Sequence, residues 1–205
     1  MISVIVTLHN KENTIISALQ SVVAQSVQQW EAVIIDNGST DGSEYQVRSY
    51  LIDRRMRYVK LEKQVSVEEA RRKGLELTSG EYVLFLDGSD YLEVNALEAL
   101  YLNIKKYGTP LSTGNYSLMK NGERQIQNYL EEGKLTASSN KVRKLVLATG
   151  TTLFERRVAA SPELWRGLDI AYTDHLVVIN GEGEQPLTEL HSVSFLSRLL
   201  SLFHN

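Results

Sequence analysis

Ala32-Val33-Ile34-Ile35-Asp36 and Tyr82-Val83-Leu84-Phe85-Leu86-Asp87 are two short, unbroken apolar runs, each ending on an aspartate. A strand with one wet face alternates apolar and polar side chains. A run without alternation fits a strand covered on both faces, as in a parallel sheet. Comparable runs rich in β-branched residues occupy 2–7 and 57–61, and segments with helical spacing lie between the four, at 14–24, 45–52 and 66–77. Successive strands start roughly 25 to 30 residues apart, the size of a βαβ unit. Right-handed crossovers then give a parallel sheet with helices on both faces. The expected fold class is α/β, with a mostly parallel, Rossmann-like central sheet.

Past Asp90 the alternation fades. Residues 94–105 predict a helix presenting Leu97, Leu100 and Ile104 on one side, and 111–118 and 125–129 flank Asn121-Gly122, a hairpin signal. A basic helix is expected over 140–147 and a strand over 150–154. No repeat or linker interrupts the chain, so 1–205 reads as one domain: a first half over 1–97, a second over 98–190, and a tail over 191–205. In the tail, Val193, Phe195, Leu196, Leu199, Leu200, Leu202 and Phe203 fill one side of a helical wheel. That helix either docks on its own domain or a twin subunit, or lies peripherally on a membrane. Arg198 is the one full positive charge among residues 193–205, where anionic lipid wants more.

The 205 residues are 42% hydrophobic and 23% charged, and 22 Lys+Arg against 25 Asp+Glu leave a net charge of −3. This balance argues against disorder and against non-specific nucleic-acid binding. The absence of cysteine excludes disulfides, thiolate zinc sites and cysteine nucleophiles. No apolar stretch approaches the roughly 18 residues that span a bilayer, and residues 1–7 read as a strand rather than a signal peptide. A cytoplasmic location is expected.

In an open α/β sheet, ligands bind beyond the carboxyl ends of the strands. Those ends carry Thr7-Leu8-His9-Asn10, Asp36-Asn37-Gly38-Ser39-Thr40-Asp41-Gly42 and Asp87-Gly88-Ser89-Asp90. Such a rim suits a ligand with several hydroxyls and a metal-bridged phosphate. Residues 7–13 contain no glycine, which argues against nicotinamide, flavin and nucleotidyl-transfer sites, and no P-loop occurs.

Four blocks on this rim and its helices resemble family 2 glycosyltransferases of the GT-A fold. They are Ser3-Val4-Ile5-Val6-Thr7-Leu8-His9-Asn10 with Ala18-Leu19-Gln20-Ser21-Val22; Ile35-Asp36-Asn37-Gly38-Ser39-Thr40-Asp41-Gly42; Ala70-Arg71-Arg72-Lys73-Gly74; and Gly80-Glu81-Tyr82-Val83-Leu84-Phe85-Leu86-Asp87. The resemblance implies an inverting sugar transfer from a nucleotide-sugar, UDP-linked by preference, to a hydroxyl on a saccharide or lipid-linked acceptor. It places Thr7 at the nucleobase and ribose, with Asn10 beside it. It gives Asp36 the uracil N–H, and the residue's own sequence context offers an Asx-turn instead. It puts Arg71 near the nucleotide, against which stands a solvated helix charge beside Glu68 and Glu69.

The resemblance also implies a Mn²⁺ or Mg²⁺ site at Asp87 and Asp90. Here the chain departs from the family's Asp-Ser-Asp-Asp, since Ser89 stands where a carboxylate normally ligates the ion. Arg71, Arg72 and Lys73 could then share in neutralising a leaving diphosphate. In such enzymes a late carboxylate takes the acceptor's proton, and Asp174 in Tyr172-Thr173-Asp174-His175 matches that context. A helix N-cap is the other reading of Asp174. Asp169 is the fallback base, and His191 a further metal candidate. The rival to an enzyme is a catalytically degenerate nucleotide-sugar-binding or partner subunit, which Ser89 and Thr173 favour.

Overall fold

The computed structural model describes residues 1–120, 123–127, 132–135, 150–160 and 168–180. The expected βαβ alternation is present: β1 (Ile2–Leu8), α1 (Ile15–Val23), β2 (Trp30–Asp36), α2 (Ser43–Arg48), β3 (Met56–Lys60), α3 (Val67–Glu76) and β4 (Tyr82–Asp87). The helix expected over 45–52 is shorter, because Ser49–Ile52 tightens into a 3₁₀ turn. All seven residues of β1 are buried, as an unalternating run requires. Helix α1 buries Ile15, Ala18, Leu19 and Val22, one stripe at helical spacing. Helix α3 opens on a capping pair, in which Ser66 Oγ accepts the Glu69 N–H at 3.1 Å.

Strands β3-β2-β1-β4 pair in parallel, with α1 and α2 on one face and α3 on the other. The second half adds β5 (Asp90–Leu92), α4 (Ala96–Tyr107), β6 (Leu111–Lys120), β7 (Glu123–Gln127), β8 (Gly133–Leu135), β9 (Thr152–Glu155), α5 (Arg156–Ala160) and β10 (Ile170–Asn180). The sheet order is β3-β2-β1-β4-β9-β6-β10-β5, with β7 on β6 and β8 on β10. On that path only β9 and β5 run against the rest, so the sheet is mixed but mostly unidirectional.

Two short elements decide how this sheet is shaped. Strand β5 follows β4 after only Gly88 and Ser89, yet pairs at the far end of the path, Asp90 opposite Asn180. Two residues reach about 10 Å from strand end to strand start, whereas four strand spacings along a flat sheet are about 19 Å. The sheet therefore rolls back on itself. Helix α4 fills the concave side, and Leu97, Leu100 and Ile104 share one core with Tyr116 and Leu153. Neither β5 nor β10 was expected from the sequence. The hairpin partners β6 and β7 pair antiparallel as expected. Their Asn121-Gly122 turn, the helix expected over 140–147, the tail over 191–205 and His191 lie outside the described residues.

Candidate active site

The period of two in a strand decides which side chains can meet. Thr7 is the register partner of both Ile35 and Asp87, on the carboxyl ends of three adjacent parallel strands. Counting back by twos, Ile5, Ile35 and Val83 belong to the core beneath α3, with Phe85 packed against it. Thr7 and Asp87 thus share the α3 face. Arg71 comes from α3 itself, half-buried, with its guanidinium 5.7 Å from the centre of the Phe85 ring. Burial lowers its pKa, and the charges of Asp87, Glu68 and Asp90 oppose that shift. The exposed ion pairs of this helix belong to its neighbours: Arg72 reaches Glu76 at 3.1 Å and Glu69 at 3.9 Å, and Lys73 reaches Glu76 at 3.4 Å. Arg71 therefore supplies positive charge to the rim, while Arg72 and Lys73 hold the solvated face.

Asp36 is one residue out of phase. It follows Ile35, so it lies on the α1 side with Ile34, where it is 0% exposed. Its Oδ1 accepts the Ser39 N–H at 2.7 Å, and its Oδ2 accepts the Tyr58 hydroxyl at 2.5 Å. Burial, reinforced by that carboxylate, pushes the Tyr58 pKa up. This is the Asx-turn arrangement that the sequence context offered, with both carboxylate oxygens engaged inside the protein. Asn37 points to the other side. Its amide pairs with both main-chain groups of Val65, donating at 2.9 Å and accepting at 2.8 Å. Gly38, at φ +76°, lets the 63–64 backbone lie against this turn, since a Cβ there would sit 2.9 Å from Gln64 N.

Asn10 stands at the mouth of the same turn, in the left-handed region at φ +52°. Its N–H donates to Ser39 Oγ and its Oδ1 accepts the Thr40 N–H, both at 2.9 Å. His9 Nδ1 lies 2.9 Å from the Asn37 carbonyl and donates to it, since a carbonyl only accepts. Asn37 and His9 are further rim residues, which no motif in the sequence singles out. Counting by twos from Thr7 across a known register would have singled out Asn37, but the register itself is not visible in the chain.

Asp87 Oδ1 accepts both the N–H and the hydroxyl of Ser89, at 3.0 and 2.7 Å. The following turn is tied down by the Gly88 N–H on the Thr7 carbonyl, 2.8 Å. Asp90, 1% exposed, lies close enough for its charge to act on Arg71. Among the described residues no group of three or more His, Cys, Asp or Glu is placed to hold a metal ion. Two carboxylates with Ser89 still fit a hard cation that is bound chiefly by substrate phosphates and water.

Asp174 lies in strand β10, so its N-cap reading is excluded by a strand where a helix would be needed. It falls between Tyr172, paired with Thr113, and Leu176, paired with Asn115, where the register breaks. Such bulges recur beside active sites, where they re-aim a strand. The fallback Asp169 is engaged by Lys134 Nζ at 2.7 Å.

Comparison with known proteins gives the family and the fold. The pattern described as "Glycosyl transferase family 2" matches residues 3–159. The Bacillus subtilis protein TuaG, named for teichuronic acid biosynthesis, is 29% identical over 157 residues, 76% of this chain and 62% of its own. The Escherichia coli UDP-Glc:α-D-GlcNAc-diphosphoundecaprenol β-1,3-glucosyltransferase WfgD is 29% identical over 59% of this chain and 47% of its own. The crystal structure of S. aureus TarS 1-349 in complex with UDP-GlcNAc superposes with a TM-score of 0.76 at 20% identity, covering 93% of this chain and 61% of that one. The chain thus spans less than two thirds of each of these relatives. Among the described residues no helix is long and apolar enough to cross a membrane. With the family's pattern running from β1 through α5 and its three-dimensional counterpart in the rolled sheet, the chain is a member of glycosyl transferase family 2 with a GT-A fold.

Proposed function

We propose that the chain transfers a sugar from a UDP-linked donor to a hydroxyl of a saccharide or lipid-linked acceptor, with inversion, in the synthesis of a cell-surface polysaccharide. The observation that carries this reading is the convergence of Thr7, Asp87 and Arg71 on one face at the carboxyl edge of the sheet. The choice of UDP draws on the UDP-GlcNAc complex of TarS and the UDP-Glc donor for which WfgD is named, and the acceptor class on WfgD and TuaG. Work at the inner face of a membrane, where a lipid-linked acceptor is reached, fits a protein acting from the cytoplasm.

In this reading Thr7 and Asn10 border the uridine, and Asp36 acts as a positioning residue through the 36–39 turn. Asp87 meets the ribose, and Arg71 offsets charge on the diphosphate. Asp87, Asp90 and the Ser89 hydroxyl would hold Mn²⁺ or Mg²⁺, an ion that stabilises negative charge on a leaving diphosphate. The acceptor oxygen attacks the anomeric carbon from the face opposite the diphosphate. The bond from that carbon to the phosphate oxygen breaks, UDP departs, and Asp174 takes the hydroxyl proton as general base.

Calorimetry with UDP, with and without Mn²⁺, tests the reading when combined with UDP release from UDP-glucose and UDP-GlcNAc. We expect metal-strengthened UDP binding that Asp87→Ala weakens by about tenfold or more, the scale of a lost charged contact. Metal-indifferent binding without turnover would instead support a non-catalytic binding subunit, the reading that Ser89 favours. No UDP binding at all would overturn both.

A further inference from the structure

Strand β10 meets β6 with two register shifts, the larger between Tyr172 and Leu176 and a smaller one between Leu176 and Val178. Tyr172 pairs with Thr113 and Leu176 with Asn115, so Thr173, Asp174 and His175 stand against Gly114 alone. Three residues opposite one is a larger excursion than the usual bulge, which inserts a single residue. Residues 173–175 have no register partner on β6, so that strand does not fix the excursion's shape. A glycine opposite it leaves room for the extra backbone.

The two ends of the excursion are joined from the side. Tyr172, the last residue before it, donates its hydroxyl to Oδ1 of Asn115, the partner of the first residue after it. Both side chains are buried, at 1% and 3% exposure, so the bond is shielded from competing water. Asn115 is in turn set in a rigid frame. The Gly114 N–H donates to the Thr151 carbonyl at 3.0 Å, and Thr152 Oγ1 donates to Thr113 Oγ1 at 3.0 Å, which ties β6 to β9. The Gly150 N–H donates to the Phe85 carbonyl at 2.6 Å, tying the approach to β9 to β4 two residues before Asp87. A continuous set of hydrogen bonds therefore runs from the strand that carries Asp87 to the excursion that carries Asp174.

We propose that the buried Tyr172–Asn115 hydrogen bond is a clamp that fixes the three-residue excursion of β10 and so positions Asp174 for proton transfer. The proposal rests on the reading of Asp174 as general base. Tyr172 and Asn115 are positioning residues under it and touch neither donor nor acceptor.

The test uses Tyr172→Phe, which keeps the ring and removes the donor, and Asn115→Leu, which removes the acceptor. Hydrogen–deuterium exchange, UDP calorimetry, and kinetics of UDP release from UDP-GlcNAc are read on the full chain. Each variant should speed exchange over 173–176 by about tenfold, the size one buried hydrogen bond supports, with peptides of β1 and β4 unchanged. The kcat should fall by a similar factor, while KM for UDP-GlcNAc and the affinity for UDP stay as in the parent. The double variant should be no worse than either single one, since both remove the same bond.

Unchanged exchange over 173–176, a uniform rise across the sheet, or additive effects of the two substitutions would overturn the clamp. Asp174→Asn separates the two layers. If it keeps full turnover, the base assignment falls. If it abolishes turnover while Tyr172→Phe alters neither exchange nor kcat, the clamp alone falls. If the parent releases no UDP from UDP-GlcNAc, the proposed function loses support and the exchange measurement still decides the clamp.

Discussion

Gly74→Ala should destabilise the protein and, under the proposed function, weaken UDP binding, although alanine is the better helix former. Gly74 lies in α3, one turn beyond Arg71, where the helix crosses β1. A Cβ built there sits 2.3 Å from Ile5 Cγ2 and 3.4 Å from Ile35 Cγ1. Carbon atoms in contact stand about 3.5–4.0 Å apart, so the helix or Ile5 must move by more than about 1 Å. Ile5 and Ile35 are both 0% exposed and have nowhere to swing. Forcing a methyl into a packed core costs about 1–3 kcal/mol, and an overlap this deep belongs near the upper end. The helix-propensity gain of alanine over glycine returns about 0.8–1.0 kcal/mol. The net expectation is a loss of about 2 kcal/mol, or roughly 4–8 °C in Tm for a chain of this size.

Urea unfolding should show a lower midpoint with an unchanged m-value, and UDP affinity should fall because the same displacement carries Arg71 away from Asp87. Gly108→Ala is the contrasting control. Gly108 ends α4 at φ +62° with nothing within 4 Å of an added Cβ, so it should cost only the left-handed strain of about 1–2 kcal/mol, with UDP affinity intact. A Gly74→Ala protein as stable as the parent would refute the packing argument. So would one that loses stability but binds UDP normally, as far as the placement of Arg71 is concerned.

Two further outcomes follow from the polar network. Ser89→Asp restores a carboxylate at the position where the family usually has one, and should raise Mn²⁺ affinity in the presence of UDP by about tenfold, since charge count tunes such sites; unchanged affinity in calorimetry would put any ion elsewhere. Glu31 has a depressed pKa: burial raises it, but hydrogen bonds from Ser79, Ser3 and Gly80 outweigh burial and hold it below 4.5. As pH falls, the unfolded chain takes up this proton first, so the contribution is present above about pH 4.5 and lost below it. Glu31→Gln should therefore be less stable at neutral pH by about 1 kcal/mol, and should lose less stability on acidification, as measured by urea unfolding across that range.

The parallel half of the fold was legible because its information is local. Unbroken apolar runs at 33–35 and 83–86, helical stripes such as Ile15, Ala18, Leu19 and Val22, and the Ser66–Glu69 cap each state their structure within a few residues. The same runs conceal phase. A strand buried on both faces carries no polar alternation, so nothing in 32–36 tells which face Asp36 takes. The register against Thr7 assigns it to the α1 side, with Tyr58 supplied from β3 to complete its bonds. Strand β5 is only three residues long, and β10 carries two register shifts, so neither has a periodic signal strong enough to announce itself.

The sequence alone determined that a polar, acidic rim would follow the strands, that Thr7 and Asp87 would belong to it, and that a family 2 pattern runs through it. Only the tertiary structure decided that Arg71 joins that rim while Arg72 turns to solvent, that the Asp36 carboxylate bonds Ser39 and Tyr58 on the α1 side, and that the sheet rolls until Asp90 meets β10. The physical reason is one of range. Hydrophobic pattern and caps act over a turn or a strand, whereas pairing register and sheet closure are set by contacts between residues as distant as Asp90 and Asn180.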